Sequence, residues 1–166
     1  MSGTAPVTKY GFGFARVTTR FRLRTFASSR SRLLTGAVHC TELSEENIKL
    51  AEGFLTRAGV WSRITYHQEE ATAALRRTGG TWDIVYNDID KEGYPDTVDL
   101  AYAHLRPGGL FISDNVLWSG RVLEGESDGS AATKGIQEFT RRLFAHQGFL
   151  TTIDPTRDGV AVALRL

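Results

Sequence analysis

The chain has 166 residues, 41% of them hydrophobic and 23% charged, the size and make-up of one globular domain able to bury a core. No apolar run approaches the roughly 20 residues that a bilayer-spanning helix needs, so no membrane role is expected. The net charge of +1 conceals two unlike segments, because seven of the 20 basic residues and none of the 19 acidic ones precede Glu42, giving the leading part +7 and the remainder 13 − 19 = −6.

Two units follow from this: a basic, atypical segment at 1–36 and a body at 37–166. The lone Cys40 permits neither an intrachain disulfide nor a cysteine metal cage, reads as a small buried residue of a strand, and agrees with a cytoplasmic setting.

The body alternates strand and helix. Residues 38–42 form a short apolar run ending in Glu42, after which Ser44 caps a helix whose positive end faces Glu45 and Glu46. Ile48, Ala51, Leu55 and Ala58 share one face of that helix, and Gly59 stops it. A strand at 64–66, a short helix at 71–77, a break at Gly79-Gly80 and a richly apolar strand at 82–86 come next. A loop at 88–95 then leads into a helix through Val98, Leu100, Ala101 and Leu105, ending at Pro107-Gly108-Gly109. The strand at 110–112 runs into Ser113-Asp114-Asn115, and the polar, Gly-rich stretch 119–130 precedes an amphipathic helix burying Ile136, Phe139 and Leu143. Strands at 151–153 and 160–164, joined by a turn at 155–159, close the chain. The pattern predicts an α/β fold, a mostly parallel sheet covered on both faces with an antiparallel hairpin at its end.

In open α/β sheets, ligands gather at the carboxyl ends of the strands, where loops bring groups together without disturbing the core. Three apolar strands here end in acids: at Glu42, at Asp88, and at Asp114-Asn115. Two carboxylates and an amide carbonyl from adjacent strands make an all-oxygen set suited to Mg²⁺, which keeps several waters. An acceptor with two neighbouring oxygens, such as a vicinal diol on an aromatic ring, can displace two of those waters. Lys91, three residues beyond Asp88, is either the group that takes the acceptor's proton or a solvated loop lysine. Glu42 is placed to accept hydrogen bonds from a ribose diol, and Glu70 either contacts an adenine or heads a helix.

Three stretches go further. Residues 82–94, Trp-Asp-Ile-Val-Tyr-Asn-Asp-Ile-Asp-Lys-Glu-Gly-Tyr, residues 105–109, Leu-Arg-Pro-Gly-Gly, and residues 114–120, Asp-Asn-Val-Leu-Trp-Ser-Gly, stand in order with Arg157-Asp158-Gly159-Val160. In these the chain resembles the cation-dependent O-methyltransferases, the family of the caffeoyl-CoA and catechol enzymes and many bacterial relatives, from about residue 37 to the end. The resemblance implies a class I methyltransferase (Rossmann-like) sheet of seven strands. It implies a divalent cation, Mg²⁺ or another, on Asp88, Asp114 and Asn115, with Lys91 as general base. It also implies S-adenosylmethionine beside Glu42, Glu70 and Asp88, with Trp118 against a small hydroxylated aromatic substrate. A homodimer is compatible with it, and nucleic acid is not an expected partner.

The family's first strand and Gly-rich turn belong some twenty residues before Glu42, near Arg20. Arg20-Phe21-Arg22-Leu23-Arg24 stands there instead, which cannot approach a cofactor closely, and Gly11-Phe12-Gly13 has no apolar strand before it. Residues 17–23 alternate as a half-exposed strand does, unlike the centre of a parallel sheet. The first strand and turn are therefore expected to be missing or replaced. Three readings of 1–36 stay open: a targeting peptide, a basic binding arm, or a shift of reading frame. CGG codons at 20, 22 and 24 with TTC and CTT between them would, read one base later, encode Gly-Ser-Gly-Phe-Gly. A chain impaired in catalysis, binding a partner through its basic head, is the alternative function.

Overall fold

The computed structural model describes residues 37–123 and 127–166, together with the backbone of 13–16. The rest of the segment 1–36, including the alternating stretch 17–23 and Gly11-Phe12, lies outside the described residues.

Seven strands form one sheet in the order β3-β2-β1-β4-β5-β7-β6. They are β1 (Gly13–Arg16), β2 (Ala37–Thr41), β3 (Ile64–His67), β4 (Trp82–Asn87), β5 (Leu105–Ser113), β6 (Phe149–Asp154) and β7 (Val160–Arg165). The pairs β2/β3 and β4/β5 are parallel, and β7 runs antiparallel to both β5 and β6, so the closing hairpin is as the sequence predicts.

The slot for the first strand is filled rather than missing. β1 lies between β2 and β4 and is antiparallel to both, with Gly13 beside Cys40 and Tyr86 and Arg16 beside Ala37. An antiparallel insert supplies the same backbone partners as a parallel one, so the sheet stays continuous. Its direction has one consequence: the C-terminal end of β1 points away from the strand ends that carry Glu42 and Asp88.

Helices α1 (Glu45–Arg57), α2 (Ala71–Thr78), α3 (Tyr94–His104) and α4 (Ala131–Ala145) connect the strands. Ser44 caps α1, accepting from Asn47 N at 3.3 Å, and Ser130 caps α4 in the same way through Thr133 N. α3 and α4 close one face over a core that includes Val85, Val98, Phe111, Phe139 and Leu143. Phe139 meets Tyr94 and Phe111 edge-on, with centroids 5.1 and 6.0 Å apart. The predicted inner face of α1 is only half-buried at Ile48, Ala51 and Leu55, while Leu50 and Phe54 are 61% and 55% exposed. None of the described helices is long and apolar enough to cross a membrane.

The sequence misplaces one boundary. Leu105 begins β5 instead of ending α3, and Pro107-Gly108-Gly109 lies inside the strand. These turn-forming residues fit because the pairing with β4 shifts there, from Trp82↔Leu105 to Ile84↔Leu110, so the irregularity absorbs the residues that cannot keep the ladder.

Two histidines link β2 and β3. The Arg77 guanidinium donates to His67 Nδ1 at 2.9 Å, so the ring proton sits on Nε2 and is donated to His39 Nδ1, also at 2.9 Å. Burial first, then the neighbouring His67, lowers His39 below its ordinary 6.5; burial and Arg77, opposed by Glu69, do the same to His67. Each ring then holds fewer protons folded than unfolded, so stability is full above about pH 6.5 and declines as pH falls through that value. The melting temperature is expected to drop between about pH 7.5 and pH 5, and less steeply in His67→Gln. Equal slopes in both proteins would refute this.

Candidate active site

β4 and β5 end level, with Asn87 opposite Ser113, so the next residues of each, Asp88 and Asp114, emerge side by side. Asp114 N donates to Asn87 O at 3.1 Å, which ties the two strand ends together. Asn115 follows with φ of 58°, a left-handed conformation that Asn tolerates better than most residues and that swings its amide back toward Asp88.

Lys91 sits in a 3₁₀ turn, Lys91–Gly93, and is 2% exposed. Its Nζ donates to Asp88 Oδ1 at 3.1 Å, to Asn115 Oδ1 at 3.2 Å and to Tyr94 Oη at 2.5 Å. A solvated loop lysine is thereby excluded. Asp114 holds its own two partners: Oδ1 accepts from Asn115 N at 2.8 Å and Oδ2 from Tyr86 Oη at 3.3 Å. Tyr94 donates onward to Asp114 O at 2.9 Å.

Neither tyrosine was assigned a role from the sequence. Tyr94 ends the 82–94 motif and Tyr86 lies in β4, where an aromatic ring reads as core or strand filler. Burial first, then the charges of Asp114 and Asp88, pushes the Tyr86 hydroxyl up to about 12. Tyr94, with no exposed surface, is driven further up by burial and then by Asp88 and Asp114, so both remain protonated donors to the acidic strand ends.

Among the described residues, no group of three or more His, Cys, Asp or Glu side chains is arranged to hold a metal ion. The set here is different in kind, two carboxylates and one amide oxygen. Asp88 Oδ1 and Asn115 Oδ1 already converge on one cation, the Lys91 ammonium, and these two oxygens are of the kind that a hard, oxygen-seeking ion takes, while Asp114 faces Asn115 N and Tyr86.

A cavity of about 250 Å³ opens on the other side of Asp88. Glu42, Glu70 and Asp88 all line it, together with Glu69 and Asp90, and among the described residues no lysine or arginine does. Glu42 Oε1 is turned back onto Leu43 N and Ser44 N at 2.8 and 2.9 Å. Glu70 caps α2 through Thr72 N and Ala73 N at 2.9 and 2.8 Å. Burial alone would raise its carboxyl, but the hydrogen bonds from Thr72 and Ala73 outweigh burial and hold it below the usual range. Trp118 borders the site from the opposite side, its ring centroid 5.8 Å from Lys91 Nζ, and its buried indole N–H has no hydrogen-bond partner.

A seven-stranded α/β sheet with an acidic cavity at its strand ends is the usual setting of a small-molecule site. The O-methyltransferase family model matches residues 31–166, and the chain belongs to that family. It is 27% identical over 153 residues to the catechol O-methyltransferase of Niastella koreensis, covering 84% of this chain and 67% of that one. With caffeoyl-CoA O-methyltransferase 2 of Zea mays it shares 26% identity over 144 residues, 79% of this chain and 54% of the relative. The solved O-methyltransferase from Bacillus cereus, in complex with SAH, superposes with a TM-score of 0.73 at 25% identity, covering 79% of this chain and 63% of that one. The chain thus spans between about half and two thirds of the length of such relatives.

Proposed function

We propose that this chain transfers a methyl group from S-adenosylmethionine to a hydroxyl oxygen of a small aromatic acceptor carrying two adjacent hydroxyls, with a divalent cation such as Mg²⁺ on Asp88, Asp114 and Asn115. The observation that supports it most is the convergence of Asp88 Oδ1 and Asn115 Oδ1 on the buried Lys91 Nζ, at 3.1 and 3.2 Å, beside an acidic cavity. A divalent cation on those oxygens would hold two vicinal hydroxyls and acidify them.

Lys91 Nζ, once neutral, is the group placed to take the acceptor's proton and become the ammonium; a divalent cation on the neighbouring oxygens would favour that neutral form. The acceptor oxygen attacks the methyl carbon, the carbon–sulfur bond breaks, and its electron pair returns to sulfur, leaving S-adenosylhomocysteine. The five carboxylates around the cavity suit a ligand bearing a sulfonium and an ammonium, with Glu42 at the ribose and Asp88 near the amino-acid end. Trp118 forms the far wall for the acceptor ring.

The direction of β1 bears on this reading, because Arg16, its last residue, pairs with Ala37 at the start of β2, whereas Gly13 lies beside Cys40 and Tyr86 nearer the cavity. Calorimetry of the full chain with S-adenosylmethionine and S-adenosylhomocysteine is the test. Saturable binding, followed by Mg²⁺-dependent methylation of a catechol in a mass-spectrometric assay, is the expected result. No heat at about millimolar cofactor, an affinity of only ~4 kcal/mol, would favour the second reading, a methyltransferase relative that binds a partner through its basic head.

A further inference from the structure

We propose that Asp158 is a positioning residue that holds Trp118 and Asn115 in place from the neighbouring β6–β7 turn, at the same end of the sheet. Arg157-Asp158-Gly159 belongs to the turn between β6 and β7, and the proposed methyl transfer uses no side chain of it. The turn is itself rigid: Asp154 Oδ1 accepts from Thr156 N at 2.8 Å and from Thr156 Oγ1 at 2.6 Å, and Gly159 N donates to Thr156 O at 3.1 Å.

Opposite it runs the loop that carries Asn115 and Trp118. Four of its residues have positive φ: Asn115 at 58°, Trp118 at 48°, Ser119 at 54° and Gly120 at 81°. A bulky Trp followed by Ser in left-handed backbone persists only where the surroundings over-determine it. The 158–159 turn supplies that constraint with three hydrogen bonds. Val116 N donates to Gly159 O at 3.1 Å, Leu117 N to Asp158 O at 2.9 Å, and Ser119 N to the Asp158 carboxylate at 2.5 Å.

The first two use backbone and survive most substitutions. The third depends on the side chain, and it grips the loop at the junction of Trp118 and Ser119, two of its four left-handed residues. Gly159 completes the clamp, since a Cβ there would lie 2.4 Å from Leu117 Cγ on a backbone already at φ of 77°. Asp158 therefore acts through the loop: released from it, Ser119 is free to leave the left-handed region, and the Trp118 ring moves relative to Lys91 and the Asn115 amide. The consequence for an acceptor rests on the methyl-transfer reading, whereas the positioning itself does not.

The full chain labelled with 5-fluorotryptophan reports on three tryptophans, Trp61, Trp82 and Trp118. Trp118→Phe identifies the Trp118 fluorine resonance. In Asp158→Ala that resonance is expected to shift while the other two stay, and Asp158→Asn, which keeps an acceptor oxygen, is expected to restore it. An unmoved Trp118 resonance, or three resonances moving together, would overturn the proposal. Where the unaltered chain methylates a catechol, Asp158→Ala is expected to change the ratio of the two monomethyl products and Asp158→Asn to keep it. A chain that methylates nothing defeats the functional reading and leaves the resonance test decisive.

Discussion

Lys91→Met is expected to lower kcat for catechol methylation by about 10²–10⁴-fold, the usual worth of a positioned general base, with little change in KM for the acceptor. The reason is geometric. Nζ is the only ammonium within hydrogen-bond reach of both Asp88 and Asn115 among the described residues, and it is held there by burial as well as by Tyr94 Oη. Met keeps the apolar stem that packs against Tyr94, whose ring centroid lies 4.3 Å from Nζ, so the core is spared. Removing the ammonium also leaves Asp88 and Asn115 without that cation, so Mn²⁺ affinity, read by electron paramagnetic resonance, is expected to rise. Retention of most of the activity would remove Lys91 from the proton transfer, whatever happened to the metal.

Gly135→Val is expected to destabilise the fold by about 1–3 kcal/mol and to reduce turnover with it. Glycine inside a helix costs about 1 kcal/mol relative to Ala, so its presence in the second turn of α4 calls for a reason. That reason is Lys91. A Cβ at 135 would lie 2.2 Å from Lys91 O and 2.9 Å from Lys91 C, both backbone atoms that cannot rotate aside. α4 therefore packs directly against the 3₁₀ turn that carries the proposed base, and any side chain at 135 displaces that turn or the helix. Gly135→Ala discriminates sharply: its helix propensity would raise the melting temperature, its Cβ would lower it, and the contact distance says the second effect wins. Calorimetric melting of the three proteins measures this, and a stabilised Gly135→Ala would show the approach to be looser than 2.2 Å.

Much of the site was legible before any coordinates. Asp88 and Asp114-Asn115 stand out because an acid closing an apolar strand is costly in a core and useful at a sheet's carboxyl edge. Lys91 was visible by spacing alone, yet its burial was not, since a lysine in a loop reads as solvated until α4 is known to cover it. Tyr86 and Tyr94 escaped because aromatic residues in strands and helix starts are ordinary packing choices. Of the two readings of Glu70, the helix cap is the one seen, and its carboxylate also lines the cavity that Glu42 and Asp88 share.

The errors have the same origin. Pro107-Gly108-Gly109 are turn formers locally, and only the shifted pairing of β5 with β4 lets them remain in a strand. The first strand was expected to be missing or replaced, and of these two it is replacement that the sheet shows: β1 runs in the opposite direction, with Gly13 rather than its C-terminal end nearest the cavity.

The sequence by itself determined most element types from residue 37 onward, the closing hairpin and which strand ends carry acidic side chains, because hydrophobic periodicity and chain-local capping are written residue by residue. Tertiary structure alone decided that Asp88, Lys91, Tyr94 and Asn115 meet at one point, that Gly135 seats Lys91, that Asp158 reaches Ser119, and which way β1 runs. Those depend on strand register and on contacts between residues tens of positions apart, and neither can be read from local preference when the partners are set by how the sheet and α4 close together.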